Sequence, residues 1–162
     1  MQKLSDNLKF KYTWRNYQQK FLDGFQEHIK DGHLHVIAPP GSGKTILGLE
    51  ILKRIGKPTL VLSPTLTIRN QWRSRLLEFF TVNDNFDSYS LDIKSPELIT
   101  FSTYQSLFAL SKSFGENGKE QLLAYIKKHQ IETLVLDEAH HLKNEWWHCL
   151  FHLKAIEGLT VV

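Results

Sequence analysis

Two short runs in this chain carry residues able to do chemistry on a phosphate ester. The first is Ala38-Pro39-Pro40-Gly41-Ser42-Gly43-Lys44-Thr45. Glycines at 41 and 43 let the backbone fold back so that successive amides point inward, the geometry that cradles an anion at the start of a helix. Pro40 and Ser42 complete the loop, Lys44 reaches the outer phosphates, and the Thr45 hydroxyl suits a magnesium ion. Ala38 stands where the commonest form of this loop has its first glycine, which is tolerable when that position needs no positive φ. The second run is Asp137-Glu138-Ala139-His140. Asp137 offers the oxygen ligand that a hard cation prefers, and Glu138 can orient and deprotonate an attacking water. His140 is placed to sense the outermost phosphate. Taken singly, the runs also read as a glycine-rich turn before a helix and as an acidic, solvated turn after a strand.

Such groups act together only if the fold brings them to one place. Brief apolar stretches at 34–38, 59–63, 97–101 and 133–137 read as buried strands. Between them, helix-period segments lie around 15–30, 44–55, 66–80, 103–110, 119–129 and 143–155. This alternation predicts an α/β fold with an open, mostly parallel sheet flanked by helices, which binds ligands at the carboxyl ends of its strands. Both chemical runs sit at such ends. Thr81 to Ser88 and Ser111 to Gly118 read as surface loops, with a short strand at Tyr89 to Leu91. The last residues, Gly158-Leu159-Thr160-Val161-Val162, look like a strand only just begun, so residues 1–162 are expected to be one domain of a longer protein.

Composition narrows the classes. A chain of 162 residues, 41% hydrophobic and 23% charged, fits one globular domain. No segment has the ~18 unbroken apolar residues of a membrane span. The first residues lack a secretory signal, and the one cysteine, Cys149, makes no intrachain disulfide, so a cytoplasmic protein is expected. His140-His141 and the pair His148 and His152 lack a matching further ligand, so no structural zinc is expected. A net charge of +3 is too small to argue for nucleic acid by itself. Trp146 and Trp147 read as packing residues before base-stacking ones.

Together these runs resemble superfamily 2 helicases and translocases of the DExH type, in the branch shared by repair helicases and the motor subunits of type I and III restriction enzymes. The resemblance covers nearly the whole chain and implies a RecA-like P-loop NTPase domain, a three-layer sandwich using ATP and magnesium. Trp14-Arg15-Asn16-Tyr17-Gln18 looks like the family's adenine-recognition element, which makes Gln18 the candidate base reader with Arg15 beside it. Ser63-Pro64-Thr65-Leu66 with Gln71-Trp72 is similar to motif Ia, and Thr103-Tyr104-Gln105-Ser106-Leu107, after Ser102, resembles motif Ib. By that likeness Pro64, Thr65, Gln71, Ser102, Thr103 and Tyr104 are candidates to grip a nucleic-acid backbone without reading its sequence. The same hydroxyls also read as helix N-caps, at Ser63 or Thr65 and at Ser102 or Thr103, and capping does not exclude strand contact.

The family also pairs this domain with a second RecA-like domain that supplies arginine fingers. These are worth about 10³–10⁵ in rate, so this domain alone is expected to hydrolyse ATP hardly at all. The Asp137-Glu138-Ala139-His140 spelling leans toward DNA over RNA. The function implied is an ATP-dependent DNA helicase or translocase. Alternatives are a nucleotide-gated nucleic-acid-binding module or an RNA helicase domain, while a transporter ATPase is disfavoured by the Ia and Ib look-alikes.

Overall fold

The structure, a computed structural model, describes residues 4–32, 34, 36, 43–81, 86–153 and 160–161. After a short turn of helix α1 (Leu4–Asn7), the chain forms α2 (Asn16–Asp23) and α3 (Phe25–His28). Then follow α4 (Lys44–Ile55), β1 (Thr59–Ser63), α5 (Leu66–Phe80), β2 (Tyr89–Ser90), β3 (Ile99–Thr103) and α6 (Tyr104–Ser113). The described chain closes with α7 (Gly118–Lys128), β4 (Thr133–Leu136), α8 (Asn144–Leu153) and β5 (Thr160–Val161). The five strands make one sheet of order β2-β3-β1-β4-β5, and every neighbouring pair is parallel.

Alternation along the strands sorts the core into two layers, because successive side chains leave opposite faces of a sheet. Val61, Ile99, Phe101 and Val135 pack with Leu49 and Leu52 of α4 and with Trp72, Leu76 and Phe80 of α5. Leu60, Leu62 and Leu134 pack instead with Leu107 and Leu110 of α6, Leu122 and Ile126 of α7, and Leu150 and Leu153 of α8. A third cluster joins Leu47 and Ile51 of α4 to Leu22 and Phe25. The result is the expected α/β sandwich, with helices on both faces of a parallel sheet. No helix among the described residues is long and apolar enough to cross a membrane.

Local chemistry sets the helix limits. Gly43 and Gly56, at φ 85° and 74°, take the left-handed conformation at the two ends of α4, where a side chain would be strained. The Thr65 side chain accepts from the Ile68 N–H and caps α5, and Thr103 does the same for α6 through the Ser106 N–H.

Three expectations change: the strand expected at 97–101 is β3, shifted to Ile99–Thr103, and two helical segments differ. The helix at 15–30 is broken at Gly24, whose N–H closes α2 on the carbonyls of Phe21 and Leu22. Most of the loop expected from Ser111 to Gly118 is helical: α6 runs to Ser113, a 3₁₀ turn covers Gly115–Asn117, and α7 starts at Gly118. A Cβ at Gly118 would collide with the Ser111 carbonyl oxygen, and that close approach lets the two helices follow each other so tightly. His35, Ile37 and Ala38 of the strand expected at 34–38 lie outside the described residues, as do Pro39 to Ser42.

Leu76 is fully buried where α5 meets the sheet. Leu76→Ala is expected to cost about 2–5 kcal/mol. In urea unfolding the midpoint should fall with the slope unchanged.

Candidate active site

The in-register pairing of β1 with both β3 and β4 brings three strand ends to one edge of the sheet. Ser63 is paired with Thr103, and Leu62 with Leu136. The Asp137 N–H extends the ladder by donating to the Leu62 carbonyl at 2.9 Å. Asp137 is therefore level with Ser63 and Thr103, at the edge where α5 and α6 begin.

Lys44, the first residue of α4, reaches across to this edge. Its Nζ lies 2.9 Å from Glu138 Oε1 and 3.9 Å from Asp137 Oδ1, although Lys44 and Glu138 are 94 positions apart in sequence. The other oxygen of Glu138, Oε2, lies 3.1 Å from His140 Nε2, so the carboxylate is bracketed on both sides. Glu138 holds a left-handed backbone, φ 55° and ψ 42°. For a residue with a side chain this costs on the order of 1–3 kcal/mol, the kind of strain found at working sites. Lys44 and Glu138 are 34% and 29% exposed, so their pairing is worth roughly 1 kcal/mol or less and opens cheaply when another anion competes for the lysine.

Asp137 is held more firmly. Its side chain is buried, and the Trp72 indole Nε1–H donates to Oδ2 at 2.9 Å. The Tyr104 hydroxyl donates to its backbone carbonyl at 2.8 Å. Burial first, then the charges of Asp137 and Glu138, pushes the Tyr104 phenol far above its ordinary range, so it stays a proton donor.

Asp137 and Glu138 present only hard oxygen donors, a set that suits magnesium. Thr45 follows in the first turn of α4, half-buried. Among the described residues no group of three histidine, cysteine or acidic side chains is placed to hold a metal ion. Magnesium held by one or two carboxylates plus phosphate oxygens does not need such a group.

Around this centre the expected residues divide. Gln18 is 3% exposed and braces the loop: its Nε2 donates to the Gly43 carbonyl at 3.1 Å, and its Oε1 accepts from the Arg15 N–H at 2.9 Å. A Cβ at Gly43 would come within 2.6 Å of Gln18 Nε2, a second reason for glycine there. Arg15 is exposed at the start of α2. Pro40, Gly41 and Ser42 lie outside the described residues.

Of the candidates for nucleic-acid contact, Thr65 and Gln71 are exposed and Pro64 is half-buried. Ser102 and Tyr104 are buried, at 2% and 1% exposed. Ser102 lies on β3, and Tyr104 is the first residue of α6. Thr103 is 5% exposed, and its Oγ1 is committed to the Ser106 N–H and hydroxyl, so it caps. Trp146 is half-buried and stacks on Tyr104 with ring centroids 5.9 Å apart, while Trp147 is 44% exposed.

In the sequence reading Trp72 enters only as part of the motif Ia look-alike, and Gly48 has no site role. A signal was there: a buried indole must find an acceptor for its one N–H, and Trp72 points to the layer of the core that also holds the end of β4.

Residues 11–160 match the family described as "Type III restriction enzyme, res subunit". The chain belongs to this family. The resemblance to the superfamily 2 branch of repair helicases and restriction motors is thus borne out, and the parallel sandwich is the RecA-like domain that it implies. Among curated relatives, the chain is 31% identical over 132 residues to "Putative DNA 3'-5' helicase Rad25" of Halobacterium salinarum, covering 81% of this chain and 20% of the relative. It is 25% identical over 148 residues to "DNA 3'-5' translocase XPB2" of Sulfurisphaera tokodaii, covering 91% and 30%. To "UvrABC system protein B" of Staphylococcus epidermidis it is 36% identical over 87 residues, covering 52% and 13%. The chain therefore spans less than a third of the length of these relatives.

Gln18→Ala leaves the Gly43 carbonyl and the Arg15 N–H without their side-chain partner. A loss of about 1–3 kcal/mol is expected, measured as a drop in thermal midpoint.

Proposed function

We propose that this chain is the ATP-binding motor domain of a DNA helicase or translocase, coupling ATP hydrolysis to movement along DNA with the 3'-to-5' polarity named for its relatives. The observation that carries this reading is the convergence of Lys44, Asp137 and Glu138 at one sheet edge, beside the N-terminus of α5. The ligands are ATP and magnesium.

The chemistry follows from the side chains. Backbone N–H groups of Gly41, Ser42 and Gly43, in the loop that Pro40 opens, would cradle the phosphates at the N-terminus of α4, where the helix dipole adds positive potential. Lys44 leaves Glu138 for the outer phosphate oxygens, an exchange favoured by the greater charge of a triphosphate. Thr45 and Asp137 would hold magnesium, which when bound neutralises charge gathering on the transferred phosphoryl group. Glu138, released by Lys44, accepts a proton from the water that attacks the terminal phosphorus, and the bond to the leaving ADP breaks. His140, exposed and in contact with Glu138, is positioned to report the phosphate's presence to a second RecA-like domain. That domain would supply the arginine fingers and, by closing and opening the cleft, the stepping.

Gln18, with Arg15 beside it, is the adenine reader of this scheme: beyond its bonds to the Gly43 carbonyl and the Arg15 N–H, its amide keeps one further hydrogen and one further lone pair. Pro64, Thr65 and Gln71 would contact the DNA backbone. Contact with the backbone alone matches movement over any sequence.

Lys44→Ala in the intact protein should abolish ATP binding while leaving the fold intact; undiminished binding removes the phosphate-loop assignment. Glu138→Gln should still bind ATP, with DNA-stimulated turnover falling about 10²–10⁴-fold. Full turnover in that variant excludes Glu138 as the base, and turnover in the parent protein indifferent to DNA excludes the motor.

A further inference from the structure

Asp137 meets a donor that the reaction scheme does not use. Trp72, near the middle of α5, places its indole Nε1 2.9 Å from Asp137 Oδ2, and the contact is buried. The residue is 3% exposed, while Asp137 Oδ1 faces Lys44 at 3.9 Å. One carboxylate oxygen is thus tied to the core and the other is turned toward the phosphate-binding lysine.

We propose that Trp72 is a positioning residue for the metal acid: its indole N–H fixes the rotamer of Asp137 so that a single oxygen, Oδ1, is presented to the cation. This rests on the reading of Asp137 as a magnesium ligand. The donor's chemistry suits the task. An indole N–H donates one hydrogen bond and has no charge and no accepting atom, so it orients the carboxylate without neutralising it. A lysine or arginine in its place would compete with the cation for the same negative charge. Partners that orient a metal ligand from behind typically change metal affinity 10–100-fold when removed.

The neighbouring helix is shaped to admit the indole. Gly48 of α4 lies directly against the ring, and a Cβ there would come within 2.6 Å of its Cη2 atom and 3.1 Å of Cζ3. That is the far edge of a rigid, buried ring, so an alanine at 48 must push the indole and move its N–H off Oδ2. Tyr104 holds the backbone of the same residue through the Asp137 carbonyl. Main chain and side chain are therefore fixed from two helices on opposite faces of the sheet.

The test uses the intact protein with ATP and Mn²⁺ as a spectroscopic substitute for magnesium. Trp72→Phe keeps most of the ring and removes the N–H. The Mn²⁺ dissociation constant of the ATP complex, read by electron paramagnetic resonance, should rise about 10-fold or more, with ATP affinity in the absence of divalent metal unchanged. Gly48→Ala should raise the same constant although it keeps the indole. Leu76→Ala, which opens a cavity on the same helix, should lower the thermal midpoint and leave the constant where it was.

An unchanged constant in both Trp72→Phe and Gly48→Ala overturns the proposal and makes Trp72 a packing residue. An equal rise in Leu76→Ala overturns it too. Should the Trp72 variant not fold, the parent protein decides: with nitrogen-15-labelled indoles, Mn²⁺ and ATP should broaden the Trp72 N–H resonance beyond detection. A sharp Trp72 signal in a protein that has bound Mn²⁺ and ATP sinks the proposal alone. A parent protein that binds ATP but no Mn²⁺ beside it sinks the reading of Asp137, and this inference with it.

Discussion

A central parallel strand, β1, is paired in register on one side with β3 and on the other with β4, and the chemistry of this chain depends on that pairing. Parallel strands point their carboxyl ends the same way, so residues that leave them emerge along one edge. Ser63, Thr103 and Asp137 do so at one level. A slip of one residue in β4 would turn the Asp137 side chain toward the opposite face, away from Trp72 and from Lys44. The register is secured by burial on both faces: Leu60, Leu62 and Leu134 fit one layer, and Val61, Phe101 and Val135 the other.

The two acids are adjacent in sequence but live in different surroundings, and the difference fits a division of labour. Asp137 is buried, tied by its carbonyl to Tyr104 and by Oδ2 to Trp72. Glu138 is more open, on a strained left-handed backbone, between a lysine and an exposed histidine. A group that holds a cation in place gains from rigidity, whereas one that receives a proton and answers to a phosphate must be able to change partners. Screening by solvent keeps the Lys44 to Glu138 pairing weak enough for that exchange.

Burial also distinguishes residues that look alike in sequence. Thr65 and Thr103 are both N-cap threonines at the same edge, yet Thr65 is exposed and Thr103 is 5% exposed. Capping uses only one face of a hydroxyl, so Thr65 can cap and still meet a phosphate. Tyr104, one residue after Thr103, turns inward and serves the acid site from behind. An edge that looks in sequence like two equivalent gripping motifs is asymmetric in space.

Much of this was legible in the residues alone. The bounds of α4 and α5, Lys44–Ile55 and Leu66–Phe80, match the sequence reading because their signals are local: left-handed glycines at 43 and 56 for one, a capping threonine and an apolar period for the other. Lys44, at the start of α4, and the paired acids, just past the end of β4, stood out for the same reason, since each is placed by signals within a few residues. The break at Gly24, the inward turn of Tyr104 and the bond from Trp72 to Asp137 did not. Each depends on what stands opposite a side chain after packing, and the partners of the last lie 65 positions apart. The sequence by itself determined which groups could do phosphate chemistry and which elements carry them; only the tertiary structure decided which oxygen faces which donor, because that is set by sheet register and by the fit of an indole against a glycine on a neighbouring helix.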